Sequence, residues 1–331
     1  MIRPLMLSLA FGVALGLSGC GRETGGGEAT PPEAAGGAES RRTVAVIPKG
    51  TTHVFWKAVQ AGAEKAGEDL GVETIWKGPL KENDRAQQIQ VVQQFIAQNV
   101  DGIVLAPLDS RALLGPVREA ADRNIPVVIF DSALEGNAGE DFVSFVATDN
   151  RAGGRTAGEH LAALLEGKGK VVLFRYLAGS ASTTNREEGF LEAIAQHPDI
   201  EVIVENRFAG PTAGEAQASA LNMIDKLRQA DGIFASNESA TNGMLQALTK
   251  EKLAGQVKFV GFDASPPLIE GLESGAIHGL IVQNPRRMGY LAVTTLIQHL
   301  NGEDVEQIID TGAALVTLEN MNDPEIKVLI D

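Results

Sequence analysis

The sequence predicts an α/β fold of two similar lobes, each built on a parallel sheet, and three observations lead there. The stretch 257–267, VKFVGFDASPP, is a short apolar run that ends on Asp263 and is followed by paired prolines. A run this short, closed by breakers, reads as a strand buried on both faces. Residues 125–133, IPVVIFDSA, repeat its grammar: apolar strand, Phe-Asp, then small residues. DGIVLAPLDS at 101–110 likewise matches DGIFASNESA at 231–240, and in each half the Phe-Asp strand follows about thirty residues later. Open α/β sheets bind ligands at the carboxyl ends of their strands. The two halves should therefore present polar residues toward a shared crevice.

Strands and helices alternate through the chain. Strands are predicted at 43–47, 72–76, 102–105, 127–130, 170–174, 201–208, 232–235, 257–262 and 277–282. Helices fall at 58–70, 84–98, 111–123, 150–165, 184–196, 212–229, 240–249, 266–274 and 288–300. The first of these places Ala58, Val59, Gly62, Ala63, Ala66 and Leu70 at helical spacing, and the second is capped by Asn83 or Asp84. Strands separated by helical stretches of this length form right-handed crossovers and parallel sheets.

The N-terminus carries an address. Met1-Ile2-Arg3 is a short basic start, 5–17 an apolar core, and Leu17-Ser18-Gly19-Cys20 a small-residue end. This is a secretory signal peptide over residues 1–19, too short to span a membrane as a helix. Its ending resembles a bacterial lipoprotein box, which implies that Cys20, the single cysteine, becomes the lipidated first residue of the mature chain. Residues 20–42 are rich in Gly, Ala, Glu, Thr and Pro without apolar periodicity. They bury too little to offset their ordering entropy and read as a lipid-anchored flexible tether. The predicted location is the periplasm or cell surface. A net charge of −15 argues against a nucleic-acid partner.

Seven segments, in one order, now carry a resemblance. They are Phe55-Trp56 after the first strand, IPVVIFDSA, TDNRAGGRTAGEHLA at 148–162, NREEGF at 185–190, FASNESA, VGFDASP and IVQNPRRMG at 281–289. From Thr43 to the end the chain resembles a periplasmic sugar-binding protein of the ribose/galactose/arabinose type (periplasmic binding protein-like I), the receptors of ABC sugar importers. The resemblance implies two Rossmann-like lobes joined by a three-crossing hinge. The first lobe would be 43–148 plus 284–312 and the second 149–283 plus 313–331, with crossings near 148–150, 283–285 and 311–314. It also implies a monosaccharide or related small polyol as ligand, an ABC permease as partner, membrane contact through the lipid anchor only, and a monomer without cofactor or metal.

A sugar presents hydroxyls that both donate and accept, and patches of C–H. Its site needs carboxylates, amides and a guanidinium, with an aromatic face. Asp131 and Asp263, at equivalent strand ends, are candidate acceptors, the alternative being caps for the helices that follow. Asn237 is a candidate bidentate amide or a cap. Arg186 opens a predicted helix, where the macrodipole disfavours a cation. The family's arginine sits at this place and reaches ligand oxygens, the alternative being an exposed salt bridge to Glu187 or Glu188. Gln283 matches the family's cleft glutamine. Of Phe55 and Trp56 one should stack on the ligand, and the larger indole favours Trp56. Lys49 occupies the position that reaches the ligand in arabinose-type relatives and is a smaller polar residue in ribose-type ones; here it would meet a ring oxygen, or a carboxylate if the ligand is a sugar acid, the alternative being a solvated loop lysine. His53 and Arg175 are weaker candidates.

Other chemistries find little support. The five histidines show no metal-type spacing, and neither Gly-x-Ser-x-Gly nor a phosphate-binding loop occurs. Asp131 and Asp263 across a cleft superficially suit a glycosidase pair, but neighbouring Arg186 and Asn237 should keep both ionised. The protein is therefore expected not to be an enzyme. A receptor that senses an autoinducer-like sugar or a nucleoside and feeds a chemoreceptor or sensor kinase is the alternative to transport.

Overall fold

The structure is a computed structural model and describes residues 41–330. Cys20, the signal peptide and nearly all of the tether lie outside the described residues.

The chain builds one six-stranded sheet, leaves it, builds a second, and then touches each again. β1 (Thr43–Ile47), β2 (Glu73–Trp76), β3 (Gly102–Leu105), β4 (Val127–Phe130) and β5 (Ser144–Ala147) form the first sheet with β11 (Ile308–Asp310). Its order is β11-β5-β4-β3-β1-β2, parallel throughout. The second sheet contains β6 (Lys168–Arg175), β7 (Asp199–Phe208), β8 (Gly232–Ala235), β9 (Lys258–Phe262), β10 (Gly279–Gln283) and β12 (Ala313–Val316). Its order, β12-β10-β9-β8-β6-β7, repeats the first, except that β12 runs antiparallel to β10. The chain changes sheets after β5, after β10 and between β11 and β12.

Each sheet has apolar cores on both faces, which is why its strands read as unbroken hydrophobic runs. In β1, Val44 and Val46 enter one core and Ala45 and Ile47 the other. In β9, Phe259 faces one core while Val260 and Phe262 face the other. Gly261 lies between them because a Cβ there would come within 2.2 Å of the Thr241 methyl carbon.

Helices α1 (Val54–Leu70), α2 (Arg85–Ala97), α3 (Leu114–Asp122) and α10 (Pro285–Leu300) cover the first sheet. The second is covered by α4 (Asn150–Leu164), α5 (Ala181–Ile194), α6 (Ala213–Leu221), α7 (Ile224–Leu227), α8 (Glu238–Lys250) and α9 (Pro266–Glu273), and α11 (Pro324–Ile330) leans on the same lobe. Two helix pairs approach backbone to backbone through glycine. A Cβ on Gly62 of α1 would lie 1.9 Å from the Arg286 carbonyl oxygen of α10, and one on Gly154 of α4 would lie 2.0 Å from that of Arg186 in α5. No side chain fits at such a contact.

Four elements escaped the sequence reading: β5, β11, β12 and α11. The helix predicted over 212–229 is broken into α6 and α7, at Met223, whose φ is −120°. Helix α1 starts at Val54, four residues earlier than predicted, so Phe55 and Trp56 lie in its first turn. Helix α5 starts at Ala181, so Arg186 stands in its second turn. The macrodipole argument for Arg186 therefore fails, because that field is confined to the first turn.

Candidate functional site

The strand ends of the two lobes converge on one cavity. From the first lobe come Lys49 after β1, His53, Phe55 and Trp56 at the start of α1, Glu82 before α2, and Asp131 after β4. The second lobe contributes Tyr176 after β6, Ser182, Thr183 and Arg186 of α5, Asn237 and Glu238 after β8, Asp263 after β9, and Gln283 at the end of β10. These residues surround a cavity of about 20 Å³. The ring is drawn tight, with room for about one water in its present arrangement.

The eight main candidates from the sequence line this cavity, Lys49, Phe55, Trp56, Asp131, Arg186, Asn237, Asp263 and Gln283, and so does the weaker candidate His53. Arg175 does not. Its guanidinium is held behind the site by Glu187 at 2.7 Å and the Glu205 carbonyl at 2.5 Å.

Asp131 and Asp263 adopt the same backbone conformation, with φ of 60° and 70°. This left-handed region is uncommon for a non-glycine residue, aspartate being among the better tolerated. Each amide donates to the neighbouring strand, Asp131 to the Val146 carbonyl at 3.1 Å and Asp263 to that of Ile281 at 2.8 Å. The shared turn aims both carboxylates into the cleft rather than over the helix that follows. Asp263 accepts from Gln283 Nε2 at 2.6 Å and from the Glu238 amide, the first of α8, at 2.9 Å. Asp131 Oδ2 lies 2.7 Å from Lys49 Nζ, which also donates to Ser182 Oγ at 2.8 Å across the cleft. Asn237 caps α8 by accepting from the Ala240 amide at 3.1 Å and still borders the cavity, so both of its proposed roles are geometrically compatible.

Arg186 is buried and makes no exposed salt bridge. It donates to Asn150 Oδ1 at 2.8 Å and the Ser236 carbonyl at 3.0 Å, and its guanidinium carbon lies 3.8 Å from the centre of the Phe262 ring. Asp263 Oδ2 is 4.0 Å away. Burial lowers the Arg186 pKa, offset in part by Asp263. The carboxyl of Asp263 is pushed above the usual carboxylate range by burial, which outweighs Arg186 and the Gln283 hydrogen bond. Desolvation thus opposes ionisation at Asp263, and Arg186 and Gln283 work in its favour.

Two buried side chains hold the loops that carry the site. Gln88 donates to the carbonyls of Pro48 at 3.0 Å and Ala106 at 2.8 Å, and accepts from the Leu108 amide, tying the loop after β1 to that after β3. Glu187 does the same in the second lobe, accepting from the Tyr176 amide and Ser236 Oγ, each at 2.9 Å.

Trp56 is 2 % exposed and belongs as much to the lobe core as to the cavity. Its ring meets Phe55 and Phe130 edge-on, with centroids at 4.9 and 6.1 Å, and its Nε1 donates to Glu82 at 2.7 Å. His53 Nδ1 lies 2.8 Å from the same Glu82 oxygen. Burial works against charge on both members of this pair. Their mutual attraction wins, pushing His53 up to about 9 and pulling Glu82 down to about 2.

Sequence reasoning missed Glu82, Tyr176, Ser182, Thr183 and Glu238. Tyr176 stands at the end of an apolar strand, the rule that found Asp131, and was accessible to it. Glu82 sits in the charged segment KEND and carries no pattern that separates it from a solvated loop. Among the described residues no group of three or more metal-ligating side chains occurs, and no helix is long and apolar enough to cross a membrane.

Residues 44–304 match the periplasmic binding protein domain family. The chain belongs to that family. The ribose import binding protein of Haemophilus influenzae is 29 % identical over 286 residues, covering 85 % of this chain and 93 % of its own. Among solved structures, a carbohydrate transporter solute-binding protein from Agrobacterium radiobacter in complex with D-arabinose is 37 % identical with a TM-score of 0.85, covering 89 % of this chain and all of its own. An ABC transporter solute-binding protein from Agrobacterium vitis with bound D-fucose is 33 % identical with a TM-score of 0.82, covering 87 % and 100 % of the two chains. The two-lobed α/β architecture is that of periplasmic binding proteins of type I.

Proposed function

We propose that the chain is the substrate-binding lipoprotein of an ABC sugar importer. It captures one monosaccharide or related small polyol between its lobes and delivers it to a membrane permease. The observation that carries this reading is the single ring of carboxylates, amides, guanidinium, ammonium and aromatic faces contributed by both lobes. Hydroxyls need partners that donate and accept in pairs, and a buried ring of such groups rejects guests that leave them unpaired. The ligands of similar proteins, ribose, D-arabinose and D-fucose, belong to the same chemical class. Lys49 is already paired with Asp131, which favours an uncharged sugar over a sugar acid. A guest that touches both lobes stabilises their closed arrangement, a population shift about the three crossings. The role is binding and not catalysis. Cys20 carries the lipid that keeps this monomeric receptor at the membrane.

Thermal melting against D-ribose, D-arabinose, D-fucose and a sugar acid tests this. A ligand present at a hundred times its Kd adds about 2.7 kcal/mol of stability, so at least one neutral sugar should raise Tm by several degrees. A chain whose melting no sugar moves would refute the reading. Cys20→Ser should move the protein from the membrane to the soluble fraction, and retention at the membrane would remove the lipid anchor.

A further inference from the structure

The start of helix α1 has no cap of its own. Its N-cap residue is His53, whose side chain makes no capping hydrogen bond, and no acidic residue stands in its first turn. Helix N-termini leave four amide donors unpaired and carry partial positive charge. Here the partner comes from the other lobe. The Glu238 carboxylate accepts from the Phe55 amide at 3.0 Å and from the Val54 amide at 3.4 Å. Glu238 is 8 % exposed and is itself in the first turn of α8.

Beside it His53 also crosses the cleft. Its Nδ1 faces Glu82 Oε1 at 2.8 Å within its own lobe, and its Nε2 faces the carbonyl of Pro211, in the loop before α6, at 3.2 Å. Both partners are acceptors, so both ring nitrogens must carry protons to satisfy them and the ring is an imidazolium. The charged groups that face it are Glu82 and Glu238, with Lys49 beyond Glu82.

We propose that His53 and Glu238 form an interlobe latch, in which the second lobe supplies the missing cap of α1 and the imidazolium ties the loop before α6 to the first lobe. Every bond of this latch runs between lobes except that from His53 to Glu82, so opening the hinge breaks it and returns the α1 amides to water. The latch therefore stabilises the closed arrangement through bonds made between the lobes themselves. His53 and Glu238 are positioning residues: they act on how long the lobes stay shut.

The consequence for sugar release rests on the binding role proposed above, but the latch itself is tested without sugar. Full-length chain carrying Cys20→Ser and one spin label on an exposed site of each lobe gives interlobe distances by double electron–electron resonance. The wild type should populate a short distance. Glu238→Ala and His53→Ala should each shift the distribution toward a longer one, and Glu238→Gln, which keeps an acceptor oxygen, should fall between. Circular dichroism checks that each variant is folded. A sugar found by the melting screen should leave Glu238→Ala at least five times faster than it leaves the wild type. A wild type showing only the long distance, or folded alanine variants with an unaltered distribution, overturns the latch whether or not any sugar binds. Alanine variants that fail to fold while Glu238→Gln keeps the wild-type distribution overturn it as well.

Discussion

Asp263 ties together three parts of the second lobe's side of the site. It holds Gln283, faces the α8 amide and stands 4.0 Å from Arg186. Replacing it with alanine removes an acceptor and leaves buried donors unpaired, at a cost of about 1–3 kcal/mol. Sugar affinity in Asp263→Ala should fall at least tenfold with the fold retained, and calorimetric titration reads this directly. An unchanged Kd would remove Asp263 from the binding role. Trp56 behaves differently because it is core as well as lining. Trp56→Ala should lower folding stability by about 3–5 kcal/mol, measured by denaturant melts, in addition to weakening binding. A variant of normal stability would show that the packing against Phe130 and Phe55 contributes little.

The elements carry two further tests. Gly62 and Gly154 allow α1 against α10 and α4 against α5 to touch through their backbones. Gly154→Ala must push α5 away, and Arg186 stands on α5 at the point of contact. Destabilisation of at least 2 kcal/mol together with lost sugar affinity is the expected outcome. A variant with wild-type melting would mean that the pair relaxes freely. The His53–Glu82 pair sets a pH dependence. His53 is raised from 6.5 to about 9, so its stabilisation is complete below pH 6.5 and is lost as pH climbs through about 9. Glu82 is lowered from 4.5 to about 2, so its share is complete above pH 4.5 and is lost as pH drops through about 2. Melting temperature should decline between pH 7 and 9.5 in the wild type, and His53→Gln should flatten that decline. Equal slopes in the two proteins would contradict the charged histidine.

The same pair shows where sequence stops being informative. Strands buried on both faces announce themselves as apolar runs, and Asp131 and Asp263 follow because their strands end on them. Short edge strands do not. In β11 Ile308 is 70 % exposed, so no apolar pattern marks it, and β5 emerges from a polar link. The start of α1 was placed four residues late because its cap lies 184 positions downstream, at Glu238. Glu82 is legible as a site residue only once His53 and Trp56 fold onto it.

At the scale of the whole molecule, two sheets of the same strand order face one another through their carboxyl ends, and three crossings join them. Each lobe pins its own loops, through Gln88 in one and Glu187 in the other. The cleft therefore lies between two surfaces that each lobe holds in place by itself. Calorimetric titration of a neutral pentose and hexose panel into the wild type and Asp263→Ala tests this directly. At least one sugar should bind one-to-one, and the variant should lose that sugar by tenfold or more. A folded wild type that binds none of them, or a variant that binds as tightly, would contradict the account.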